Sequence, residues 1–155
     1  LILSANCFCP DTYHAFSTGK NPRQLADGGC FHVVETGVTE SAAKKTCIKE
    51  DSLLVSIHDD EKQFYITGLV SEVVGPKQKY WIGYQNDRTN WNWEDKSSSS
   101  YSNWDDGQPN INGGSYLCAY AVQAIGFNTK WYAANCAAGN LYVCEKAPCS
   151  TDYFC

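Results

Sequence analysis

Methionine is absent from this 155-residue chain, and no Asn-x-Ser or Asn-x-Thr triplet occurs, so N-linked glycosylation is not expected. No apolar run approaches the ~18 residues needed to cross a bilayer, which leaves no candidate membrane span. Positive charge is scarce: 12 Lys and Arg stand against 17 Asp and Glu, for a net charge of -5. Lys44-Lys45 and the stretch Lys77 to Lys79 read as solvated surface. Without a clustered basic patch, a nucleic-acid partner is not expected. No C-x-x-C pair exists, and His14, His32 and His58 are scattered without ligand-like spacing. That argues against a cysteine-histidine metal site. No nucleophile–base pairing stands out, so an enzyme is not expected.

What is abundant is cysteine and aromatic residues. Nine Cys accompany ten Tyr, six Phe and five Trp, and 43% of the chain is hydrophobic. A chain this long is one domain and buries roughly 70% of its unfolded surface. Lacking metal-type spacing, the cysteines read as disulfides, which places the protein in an oxidising, secreted setting. Leu1-Ile2-Leu3 is too short to assign to a signal-peptide remnant.

Residues 1–29 read as an irregular lead-in broken by Pro10, Gly19, Pro22, Gly28 and Gly29. Cys30 to Val34 alternates and is β-branched, predicting a strand. Thr39 offers an N-cap for a helix to about Glu50, with Ala43 and Cys47 on one face. Ser52 to Ile57 predicts a short strand. A second helix starts near Asp59, where Asp59, Asp60 and Glu61 favour the positive end of the helix dipole, and ends by Gly75-Pro76. Tyr80 to Gly83 is a strand entering the core. From Tyr84 to Ser115 the chain is polar and carries no regular pattern, a length that is usually functional or disordered. Trp91, Trp93 and Trp104 argue that it is pinned to a core. Strands are then expected at Leu117 to Tyr120, Lys130 to Ala133 and Leu141 to Cys144. The order predicts an α+β fold with two helices and one mostly antiparallel sheet.

Several motifs align in order. Trp81-Ile82-Gly83, Trp91-Asn92-Trp93, Asn103-Trp104, Gln108-Pro109-Asn110, and Cys118 with Trp131, Cys136 and Val143-Cys144-Glu145 together resemble the C-type lectin-like family, with Cys47 as the first bridge partner. The resemblance covers about residues 30–147, flanked by the lead-in 1–29 and a cysteine-containing tail 148–155. It implies bridges Cys47–Cys144 and Cys118–Cys136, a third at Cys9–Cys30 in the family's long form, and a cis bond before Pro109. It also implies that Cys7 ties to Cys149 or Cys155. One thiol is left over, which suggests a disulfide-linked homodimer. The tryptophans are expected mainly as core and loop anchors, since indole can hold a polar loop that has few aliphatics.

In sugar-binding members of that family, five side chains hold a calcium ion that coordinates the sugar. Here the matching positions are Gln108, Asn110, Tyr116, Tyr132 and Ala133. No carboxylate is among them, although calcium affinity is set by ligand charge. A second family calcium site matches Ile111 and Leu117, which carry no donor, and Asp105 and Asp106 fall where the family is variable surface. No metal or other cofactor is therefore expected. Gln108, Asn110, Tyr116 and Tyr132 form the candidate surface for a glycan or protein ligand, and the alternative is that the tyrosines merely fill the space of the ion. The other readings are a calcium-dependent lectin using Gln108 and Asn110, and a disulfide-linked structural protein.

Overall fold

The computed structural model describes residues 9–19, 28–124, 126 and 128–147. Among these residues, eight strands and two helices follow one another as β1 (His14–Phe16), β2 (Gly29–Val38), α1 (Glu40–Lys49), β3 (Leu53–Leu54), α2 (Asp60–Val73), β4 (Lys79–Asn86), β5 (Trp91–Trp93), β6 (Cys118–Gln123), β7 (Thr129–Ala134) and β8 (Asn140–Lys146). The fold is α+β, as the order of the predicted elements implies.

Both helices begin where their caps place them. Thr39 accepts the N–H of Ala42 at 3.3 Å, and Asp59 accepts that of Lys62 at 2.7 Å. Each side chain thereby satisfies one amide that a helix start leaves unpaired. The main path of the sheet is β1-β2-β8-β4-β6-β7, with β3 on β8 and β5 on β4. All pairs are antiparallel except β4 with β8. Gly83 in β4 is required by close approach, because a Cβ there would stand 2.8 Å from the carbonyl oxygen of Leu54.

The lead-in differs from its sequence reading. His14–Phe16 pairs with Phe31 to Gly29 of β2, so part of this stretch belongs to the sheet. Three residues are too few to display a period, and the pairing is decided by β2. Likewise β4 runs on to Asn86, and Trp91–Trp93 pairs back onto it from Tyr84 to Asn86. A 3-10 turn at Asn112–Gly114 adds further regular structure within the polar stretch. Of the Ser52 to Ile57 stretch, only Leu53–Leu54 forms a strand.

Two packed clusters share the interior. One joins Phe31, Ile66, Tyr80, Ile82, Trp93 and Trp131, and the other gathers Trp81, Leu54 and Tyr142 around disulfide-bonded cysteines. Gln63 of α2 serves the first: its Oε1 accepts the indole N–H of Trp131 at 2.7 Å, and its amide donates to Tyr80 Oη at 3.1 Å. These bonds satisfy polar groups that would otherwise be buried unpaired. Bridges join Cys9–Cys30, Cys47–Cys144 and Cys118–Cys136, the pairings the family resemblance implies. Cys7, Cys149 and Cys155 lie outside the described residues, and with them the expected tie to Cys7.

Candidate functional site

The polar excursion closes an edge of the sheet. β7 is the last strand on its side, and its outward main-chain groups would otherwise be unpaired. Four contacts cover them. Asn103 donates from its side-chain amide to the Thr129 carbonyl at 2.6 Å and accepts the Trp131 N–H on its own carbonyl at 2.8 Å. The Asp105 N–H donates to the Trp131 carbonyl at 3.1 Å, and the Ala133 N–H donates to Gln108 Oε1 at 3.1 Å. Residues 103–108 thus replace a missing neighbour strand.

Aromatic rings anchor the same excursion. Tyr84 stacks on Trp93 with centroids 4.4 Å apart, and Trp91 meets Trp104 edge-on at 4.8 Å. Trp81 is fully buried and Trp93 is 3% exposed, so both are core residues.

The peptide bond between Gln108 and Pro109 is cis. Gln108 Oε1 accepts a second main-chain N–H, from Asn110 at 3.1 Å, so both its lone pairs are engaged. Asn110 Oδ1 accepts the N–H of Asn112 at 3.0 Å. Tyr116 closes the turn through its own N–H, which donates to the Ile111 carbonyl at 3.0 Å.

Tyr132 meets this group through Asp105, whose carbonyl accepts the Gln108 N–H at 2.9 Å. Residues alternate across a strand, so Tyr132 projects to the face opposite Trp131 and Ala133. There it lies parallel to Tyr120, its direct partner on β6, at 5.4 Å. Its hydroxyl donates to Asp105. That bond to a carboxylate pushes the Tyr132 phenol up to about 12 and, from the other side, holds Asp105 below the usual carboxylate range. Lys79 Nζ sits 5.1 Å over the ring of Tyr120. The structure therefore joins Gln108 and Asn110 directly, brings the Tyr116 backbone to the same turn, and links the Tyr132 hydroxyl to Gln108 through Asp105.

Asp105, which the sequence leaves as variable surface, is instead a structural partner of both Trp131 and Tyr132. The signal that finds it is the Asn103-Trp104-Asp105 order set against the tyrosine two residues before Ala134, and it is read only once β7 is placed. The five positions that match calcium ligands offer two amide oxygens, one saturated and one half-used, with two phenol side chains and an alanine. That donor set does not fit a calcium ion, which takes about six to eight oxygens and depends on carboxylate charge. Among the described residues, no group of three or more His, Cys, Asp or Glu is placed to hold a metal.

The Lectin C-type domain family model matches residues 36–146. The chain belongs to the C-type lectin domain family. This C-type lectin-like domain is 30% identical over 120 residues to the galactose-specific lectin nattectin of Thalassophryne nattereri, covering 76% of this chain and 73% of nattectin. It is 28% identical over 146 residues to the C-type mannose receptor 2 of Mus musculus, matching 93% of this chain but spanning only 10% of that receptor. Among solved structures, a calcium-independent type II antifreeze protein superposes with a TM-score of 0.74 at 24% identity, covering 92% of this chain and 97% of the other. That last likeness shows the fold alone. The relatives are lectins, in keeping with a non-enzymatic domain.

Proposed function

We propose that this C-type lectin-like domain is a secreted recognition module that binds a glycan or protein ligand at its long-loop face, without calcium at the family's usual site. The observation that carries the reading is the double engagement of Gln108 Oε1 by the Ala133 and Asn110 amides. A family ligand position is used here as a brace for β7. Gln108, Asn110 and Tyr116 remain the candidate contacts around the turn. Tyr132 contributes beside Tyr120, where an aromatic surface suits a sugar ring or a protein side chain. The names of nattectin and the mannose receptor support a sugar as the ligand class. The disulfides support an extracellular setting. An odd number of cysteines, nine, supports a share of disulfide-linked dimer, which a non-reducing gel reads.

The test is a glycan array probed in calcium and again in EDTA. Retained binding in EDTA supports the reading. Binding that EDTA removes and calcium restores, and that Asn110→Ala abolishes, overturns it and returns a calcium-dependent lectin.

A further inference from the structure

A polar cavity of about 670 Å³ opens beside α1, the end of β4 and β5, lined by Lys44, Gln85, Asn86, Asn92, Trp93 and Glu94 among others. It shares no residue with the candidate set of Gln108, Asn110, Tyr116 and Tyr132. Glu94 follows β5 directly, and its side chain is only 6% exposed. Its Oε2 accepts the Leu54 N–H at 3.2 Å, whereas its Oε1 is sealed from solvent and has no hydrogen-bond donor. Lys44 Nζ stands 3.8 Å from that oxygen, outside hydrogen-bond reach, and donates to Gln85 Oε1 at 3.3 Å. Gln85 in turn donates to the carboxylate of Glu40, which is also buried. Two buried carboxylates thus share one ammonium. Burial raises the proton affinity of both, and their mutual repulsion raises that of Glu94 further.

An orphaned carboxylate oxygen is costly to hold, and a charged donor relieves it best. We propose that the cavity takes the guanidinium of an arginine side chain from a protein ligand, paired with Glu94. The planar guanidinium presents five N–H donors, which suits acceptors spread over a wall better than a single ammonium does. A second acceptor is present in Asn92 Oδ1, because the Asn92 amide nitrogen already donates to Asp87 Oδ2 at 3.0 Å and to the Asn90 carbonyl at 3.2 Å. Leu53 supplies apolar wall for the methylene stem. Lys44 is one-third exposed and covers Glu94, so the entering cation displaces it. Lys44 is then an internal competitor, a role that a merely structural lysine would not have.

The experiment is an amide-resolved NMR titration of the whole chain with Nα-acetyl-arginine amide. The corresponding citrulline amide, of the same shape but uncharged, is the control. Saturable shifts at Asn86, Asn92 and Glu94 with arginine and none with citrulline are expected. Glu94→Gln should weaken binding roughly tenfold or more. Lys44→Ala should strengthen it several-fold, and this variant decides the matter if Glu94→Gln does not fold. Absence of saturable shifts, equal binding of citrulline, or weaker binding by Lys44→Ala overturns the proposal. Tighter binding of glucosamine than of arginine at these residues overturns the assignment to a protein ligand. None of these outcomes bears on calcium at the long-loop face.

Discussion

Gln108 Oε1 accepts the main-chain N–H of Ala133 at 3.1 Å, across 25 residues of sequence. A side chain beside the cis proline thereby pairs the outer edge of the last strand. Replacing it by Ala leaves that N–H without its protein partner and frees the turn. Gln108→Ala should lower stability by about 1 kcal/mol, the scale of one lost hydrogen bond. Hydrogen exchange at the Ala133 amide should speed up while that of the central strand β8 stays slow. Unchanged exchange at Ala133 would show that the bond carries no weight.

Calcium should leave the domain's melting temperature unchanged. Calcium at ten times its dissociation constant would stabilise the fold by RT ln 11, about 1.4 kcal/mol. For a domain near this size that is a rise of roughly 3–6 °C, easily seen in a thermal-shift assay. No such rise is expected at millimolar calcium, and EDTA should do nothing. A reversible rise that Asn110→Ala removes would contradict the geometry at Gln108.

Tyr132 should titrate late. Its hydrogen bond to Asp105, together with burial and the Asp105 charge, pushes its phenol up from 10.0 to about 12. A raised folded-state value means that the contribution is complete below the unfolded value of 10.0 and is lost as pH rises through about 12. Asp105 shifts the opposite way, so its share is present above the ordinary carboxylate range and fades as pH falls through its depressed value. Ultraviolet titration of Asp105→Asn against the unmutated protein should show one tyrosine moving down in pH. Coincident curves would mean that the hydroxyl bonds elsewhere in solution.

The bridges Cys47–Cys144 and Cys118–Cys136 should differ in what they contribute. Cys47–Cys144 spans 97 residues and Cys118–Cys136 spans 18. In the chain-entropy account these loops correspond to about 4.7 and about 3 kcal/mol. Paired Cys→Ser variants compared by chemical denaturation should fall in that order, with the first destabilised more. The reverse order would show that local packing, rather than loop closure, sets their worth.

Helix starts, strand alternation and the ordered tryptophan and cysteine motifs were legible because each is a local pattern with a local cause. Thr39 and Asp59 cap whatever helix follows them, and Val33 with Val34 marks β2 without knowledge of its neighbours. β1 and β5 were not legible. Each is three residues long and exists only because a longer strand offers it an edge.

The identities at 108, 110, 116, 132 and 133 settle by themselves that none of these five side chains is a carboxylate, since charge is a property of the residue and not of its surroundings. What those side chains do instead was decided by tertiary structure. The pleat of β7 turns Tyr132 toward Tyr120 and Asp105, and the unpaired edge of the same strand draws in Gln108. The same holds at Glu94, whose carboxylate is ordinary in sequence. It becomes an orphan only because folding buries it beside Lys44 while Gln85 holds the ammonium away. Residue type fixes which donors and acceptors exist, and the approach of distant strands fixes which of them are left over.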